Sequence, residues 1–191
     1  MRALIFFLFF SAQLSAQMPG DTDYVFRSIK QADERPEVVY HLNLRKAKLK
    51  IFPKNLDRFE NLKTLDLSKN KISMLPSEVG QLTRLEQLIL AGNKIVIIPP
   101  QIANLKSLVV LDLSKNDIKA VPKEIGELGA LKRVDLRLND LQTIDKNISQ
   151  LNQLEELNLQ GMFFSDEFKK MVTSWLPNIE VQFSGGCNCG F

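Results

Sequence analysis

Side chains able to serve as nucleophile, base or metal ligand are few in this chain and widely separated. One histidine, His41, and two cysteines, Cys187 and Cys189, supply all the imidazole and thiol in 191 residues. A Cys–His nucleophile needs hydrogen-bond contact between its members, and structural zinc takes four Cys or His ligands. Both cysteines fall in the tail Ser184-Gly185-Gly186-Cys187-Asn188-Cys189-Gly190-Phe191. There they allow a small strained ring, a link to another chain, or a metal shared with a partner. No glycine-rich phosphate loop, nucleophile elbow or His-x-x-x-His spacing is present. The chain is therefore read as having no catalytic residues, no cofactor and no metal of its own. Asn147-Ile148-Ser149 matches a glycosylation sequon, a single short match that carries little weight.

Composition excludes further classes. With 45% hydrophobic and 25% charged residues the chain is not disordered, and its length suits one domain. Twenty-five Lys and Arg against 22 Asp and Glu leave a net charge of +3. Nucleic acid is not an expected partner, because phosphate binding needs a concentrated positive field. At the N-terminus, Met1-Arg2 leads into the apolar run Ala3 to Phe10 and the small-residue stretch Ser11 to Gln17. That is the plan of a secretory signal peptide over residues 1–16, cut after Ala16. The run is too short to span a bilayer, for which about 20 apolar residues are needed, so the mature chain is expected to hold no transmembrane segment. A buried N-terminal helix or strand is the alternative.

The elements that must position everything else come from a repeat. Shifted by 23 residues, Leu62 to Ile72, Leu85 to Ile95, Leu108 to Ile118 and Leu131 to Leu141 superimpose, with weaker copies from Val39 and Leu154. Six copies thus fill residues 39–164, after a capping segment (17–38) and before a C-terminal cap (165–183) and a flexible tail (184–191). Leucines at alternating positions, such as Leu65 and Leu67, place one side of a short strand in the core. Asn70, Asn93, Asn116 and Asn139 recur where the chain turns out of the strand and are read as a structural ladder bonding the turn's unpaired backbone groups. Ala47 and Met162 replace them in the end copies. Pro53, Pro76, Pro99 and Pro122 are expected to open a helical turn, with Asp145 acting as N-cap in the fifth copy. Residues 21–33, containing Tyr24, Phe26 and Ile29, should cover the first repeat as a short helix. A longer helix begun by Ser165, and an alternating strand at Ile179, Val181 and Phe183, should close the other end.

The pattern L-x-x-L-x-L-x-x-N-x-L at this period, followed by an apolar-Pro pair and an I-G-x-L turn such as Ile125-Gly126-Glu127-Leu128, resembles the leucine-rich repeat proteins with 23-residue repeats. Secreted bacterial members resemble it best; cytoplasmic Ras-associated scaffolds of eukaryotes share the repeat but lack the N-terminal segment. The resemblance implies an α/β solenoid: a right-handed curved horseshoe with a parallel concave sheet of about six to seven short strands and short helices or 3₁₀ turns outside. It also implies a non-enzymatic module that binds a protein on its concave face.

That face is a grid. One column holds His41, Thr64, Gln87, Val110, Arg133 and Glu156; the next holds Asn43, Asp66, Ile89, Asp112, Asp135 and Asn158; the third holds Arg45, Ser68, Ala91, Ser114, Arg137 and Gln160. Ile89, Val110 and Ala91 put apolar groups where no core receives them. With Asp112, Arg133, Asp135 and Arg137 as polar rim they form the candidate partner-binding surface, although the arginines could equally pair with those carboxylates and isolated exposed aliphatics also occur without function. On such a stack His41 and Cys187 lie about 29 Å apart at about 4.8 Å per strand, which excludes a catalytic pair. Lys46, Lys48, Lys69, Lys71, Lys94 and Lys115 gather along one edge. Attachment to an anionic polymer or membrane surface through that edge is the alternative function, and an intracellular scaffold is a third.

Overall fold

The computed structural model describes residues 22–184; the N-terminal apolar run, Ala16 and both cysteines lie outside them. Strands β1 (Val25–Phe26), β2 (His41–Asn43), β3 (Thr64–Asp66), β4 (Gln87–Ile89), β5 (Val110–Asp112), β6 (Ala120–Val121), β7 (Arg133–Asp135), β8 (Thr143–Ile144), β9 (Glu156–Leu159) and β10 (Val181–Phe183) follow in order. The main sheet runs β1-β2-β3-β4-β5-β7-β9-β10, and β6 pairs with β8 separately. All pairings are parallel, with Leu42, Leu65, Leu88, Leu111, Val134 and Leu157 in one register. Parallel neighbours need a crossover of a dozen or more residues, which the 23-residue repeat supplies. The fold is the expected solenoid with eight strands in its sheet rather than six or seven. The added strand is β1: the N-terminal cap extends along His41 and Leu42 before its helix α1 (Ile29–Asp33) begins.

Behind the sheet the consensus leucines make one continuous core, with Leu65, Leu67, Leu88, Leu90, Leu108 and Leu113 fully buried. Each such side chain contributes roughly 1.5–3 kcal/mol on burial. The chain leaves each strand through a residue with positive φ: Lys46, Lys69, Gly92, Lys115, Leu138 and Gly161. Just beyond, the asparagines enter the core. Asn93 Oδ1 accepts from Ile72 N–H at 3.0 Å, and its Nδ2 donates to Leu67 O at 3.0 Å and Leu90 O at 2.8 Å. Asn70, Asn116 and Asn139 bond to the corresponding groups. Each asparagine thereby ties its own turn to the repeat before it.

On the outer side, 3₁₀ turns occupy Leu56–Arg58, Ser77–Gln81, Pro100–Asn104, Lys123–Glu127 and Lys146–Gln150. Here the sequence reading needs correction. Pro76, Pro99 and Pro122 do not open the turns; they precede them in extended conformation, with ψ of 164°, 149° and 160°. In the first copy Pro53 lies three residues before its turn. The fixed φ of proline suits an extended residue as well as a helical one. Asp145 caps the fifth turn, accepting from Asn147 N–H at 2.8 Å. Neighbouring turns pack so closely that a Cβ on Gly80 would lie 2.6 Å from Gln101 O, and one on Gly126 would strike Asn147 O. The glycine of the I-G-x-L turn is thus set by the approach of the next repeat.

The two ends are closed by aromatic packing. Tyr24 meets Phe26 edge-on at 4.8 Å, and Arg58 reaches back to Asp33. At the C-terminus Ser165 caps α2 (Asp166–Trp175) by accepting from Phe168 N–H, Phe164 stacks on Phe168, and Phe183 of β10 meets Phe164 edge-on. Replacing Asn93 by Ala would strip the side-chain acceptor from Ile72 N–H and one of two asparagine donors from each of Leu67 O and Leu90 O, which keep Asn70 and Asn116. Asn93→Ala is expected to lower stability by about 2–4 kcal/mol in urea unfolding, more than an exposed substitution such as Gln101→Ala.

Candidate functional site

The strand registers build the concave grid. His41, Thr64, Gln87, Val110, Arg133 and Glu156 are successive partners, and so are Asn43, Asp66, Ile89, Asp112, Asp135 and Asn158. Ile89 and Val110 stand diagonally on β4 and β5, about 8 Å apart by strand geometry, and both are half-buried. Ala91 continues the line of Ile89 two residues on, and Arg133 lies beside Val110 across the ladder. The third column is less open than its sequence suggests. Ser68 and Ser114 are buried, and Arg45 Nη1 donates to Ser68 Oγ at 3.0 Å.

The middle column has a backbone task that the sequence pattern conceals. Asn43 accepts from Arg45 N–H, Asp66 from Ser68, Asp112 from Ser114, Asp135 from Arg137 and Asn158 from Gln160, all at 2.8–3.0 Å. In each case a side-chain oxygen satisfies the amide two residues on, where the strand bends into its turn. Asp112 and Asp135, assigned to the rim, therefore also brace the turns. Ile89 alone breaks the series. It carries no oxygen, so Ala91 N–H lacks the acceptor its counterparts have.

A second column breaks beside it. Along the edge where strands begin, Lys63 pairs with Glu86 at 3.0 Å and Lys132 with Glu155 at 2.8 Å, each across one repeat. Between these pairs stands Val109, half-buried, next to Val110. The sequence reading missed Val109; the signal was the series Lys63, Glu86, Val109, Lys132, Glu155 at the repeat period. Apolar substitutions at 89, 91, 109 and 110 thus gather in the third and fourth repeats.

Arg137 pairs with Asp135 at 3.3 Å, and Arg133 is exposed and carries no ion pair among the described residues. Burial pushes the Asp135 carboxyl above its ordinary 3.8; Asp112 adds to the rise, while the bond from Arg137 N–H opposes it. Among the described residues no three His, Cys, Asp or Glu side chains are grouped to hold a metal ion, and no helix is long and apolar enough to cross a membrane.

Two family models, for a leucine-rich repeat region and a leucine-rich repeat, match residues 39–113 and 106–161. The chain is a leucine-rich repeat protein. Among solved structures it is similar to a leucine-rich repeat protein of Leptospira interrogans, with 42% identity and a TM-score of 0.68 over 75% of this chain. The match covers 36% of that chain, so this protein spans about a third of its relative's length. It is also similar to the BIR3–SERK2 complex of Arabidopsis thaliana, with 35% identity and a TM-score of 0.53, over 58% of this chain and 62% of that one. The repeat ectodomain of the Arabidopsis receptor kinase GASSHO1/SCHENGEN3, solved with CASPARIAN STRIP INTEGRITY FACTOR 2, shares the fold at 23% identity and a TM-score of 0.62, over 78% of this chain and 21% of that one. No curated protein matches the leucine-rich repeat chain.

The Asn/Asp column makes two effects on stability measurable. Ile89→Asn restores an acceptor for Ala91 N–H and should raise stability by about 0.5–1.5 kcal/mol in urea unfolding. For Asp135, folding raises the carboxyl's proton affinity, so its contribution favours the folded state as pH falls and weakens it as pH rises through the raised value. Asp135→Asn keeps the oxygen for Arg137 N–H and removes the charge. Relative to the parent, it should therefore gain stability between about pH 4 and about pH 7, read from melts at both.

Proposed function

We propose that this leucine-rich repeat protein is a secreted, periplasmic or cell-surface binding module that recognises a protein partner on its concave face without catalysis. The apolar centre is Ile89, Val110 and Ala91, flanked by Val109. Asp112, Arg133, Asp135 and Arg137 form the rim. The observation that carries this reading is the exchange at position 89. Five of six repeats keep a side-chain oxygen there to hold the turn, and one gives it up for an aliphatic side chain directed at solvent. Departures from a local rule with no structural gain mark functional positions, and apolar centres with charged rims are the usual form of a protein interface.

Secretion rests on the N-terminal pattern of residues 1–16, and a bacterial setting draws support from the likeness to the Leptospira protein. Protein binding draws support from the BIR3–SERK2 likeness, itself a complex of proteins. Cys187 and Cys189 have no role in this reading.

The test is cross-linked capture from the native source with parent protein and with Ile89→Asn/Val110→Asp, the captured species being identified by mass spectrometry. Circular dichroism and melting should show both proteins folded, since neither side chain is in the core. A partner held by the parent and lost at least tenfold with the folded variant supports the concave face. Equal capture by both would show that the partner binds elsewhere.

A further inference from the structure

The edge where strands run out into the outer turns differs sharply from the opposite one. On the opposite edge Lys63, Lys106 and Lys132 are each paired with a glutamate of the next repeat, at 2.8–3.2 Å. On this edge Lys48, Lys71 and Lys94 stand in one column, held in register by the bonds of Lys71 N–H to Leu49 O and Lys94 N–H to Ile72 O. All three are exposed and carry no ion pair among the described residues. The column continues as Asp117 and Asp140, so its charge reverses after the third repeat.

Three residues further along the chain lies a second column. Ile51, Met74 and Ile97 are 67%, 72% and 72% exposed. The same positions in the fourth and fifth repeats hold Ala120 and Thr143, which pair as β6 and β8. The apolar column therefore also ends after the third repeat. At about 4.8 Å per repeat the three large side chains form a row about 10 Å long, with Val96, 38% exposed, beside it. Lys50 and Lys54 lie next to the row in sequence, exposed and unpaired among the described residues.

The two columns thus change together after the third repeat: the bulky apolar row ends, and the column of Lys48, Lys71 and Lys94 turns acidic, although lysines elsewhere on this edge, such as Lys115 and Lys119, continue beyond it. The core accounts for neither, since the adjacent Phe52, Leu75 and Ile98 are the buried members. We propose that this strip docks on an anionic lipid bilayer, with Ile51, Met74 and Ile97 entering the interface and Lys48, Lys71 and Lys94 meeting the headgroups. A bilayer interface receives such a row by burying it at the headgroup and acyl-chain boundary, with affinity set by apolar area together with attraction to anionic lipid. Unpaired lysines supply the complementary charge, each raising affinity about fivefold at an anionic surface. Docked this way, the concave face remains free for its own partner.

Vesicles of phosphatidylcholine with phosphatidylglycerol, and vesicles of phosphatidylcholine alone, provide the test by co-sedimentation of the full chain. All proteins compared share the N-terminal apolar run, so differences between them belong to the strip. Binding to the anionic vesicles should fall at least tenfold in Ile51→Ser/Met74→Ser/Ile97→Ser and in Lys48→Glu/Lys71→Glu/Lys94→Glu, each checked for parental circular dichroism, and should be unchanged in Ile89→Asn. Met74→Trp tests the contact without altering the lysines. It is read in a Trp175→Phe background, since Trp175 is the chain's one native tryptophan. The introduced indole should shift its emission to the blue on anionic vesicles and be quenched by brominated lipid. Parental binding by either triple variant, or an unquenched indole in Met74→Trp, overturns the proposal. Equal binding to soluble dextran sulfate, insensitive to the apolar triple variant, overturns it in favour of a polyanion.

Discussion

A buried amide or carbonyl without a partner costs as much free energy as a good contact provides, and a solenoid of short strands creates such groups once per turn. Every repeat leaves its strand through a left-handed residue and then runs through the core side of the bend. The asparagine ladder resolves that difficulty by giving each side-chain amide one acceptor role and two or more donor roles, always spanning two repeats. Leucine packing supplies the bulk of the stabilisation, but without the ladder the turns could not be buried against it. The end copies, Ala47 and Met162, fall where a cap replaces a neighbour.

The same demand shapes the concave surface. Asn43, Asp66, Asp112, Asp135 and Asn158 are polar because the next turn needs an oxygen, and only secondarily because they face water. A grid of polar concave residues consequently says little about binding. Ile89 is the exception to the backbone rule: it leaves Ala91 N–H without that acceptor beside Val109 and Val110, where the edge pairing of lysine with glutamate also lapses.

The exposed apolar groups are thereby separated by face. The concave centre of repeats three and four presents aliphatic groups within a polar rim, and the outer edge of repeats one to three presents aliphatic groups beside unpaired lysines. The remaining edge neutralises itself from repeat to repeat. Because each repeat touches only its neighbours, substitutions on one face leave the other intact, and the solenoid can carry two surfaces without conflict.

Much of this was legible without coordinates. The period of 23, the alternation of Leu65 and Leu67, the Asp145 and Ser165 caps and the columns of the concave face all follow from spacing, because in a stack of identical crossovers sequence offset becomes spatial neighbourhood. Three things were not legible. Asp112 and Asp135 read only as rim charges, free or paired with Arg133 and Arg137, because an Asn or Asp hydrogen bond to the amide two residues on depends on the local bend, which composition does not reveal. Pro76 and its counterparts read as helix starters because the restricted φ of proline serves extended and helical backbone equally. Exposure of Ile51, Met74 and Ile97 beside buried Phe52, Leu75 and Ile98 was decided only by tertiary packing: adjacent apolar residues look alike in sequence, and which one meets the core depends on how the outer segment lies against the neighbouring repeat.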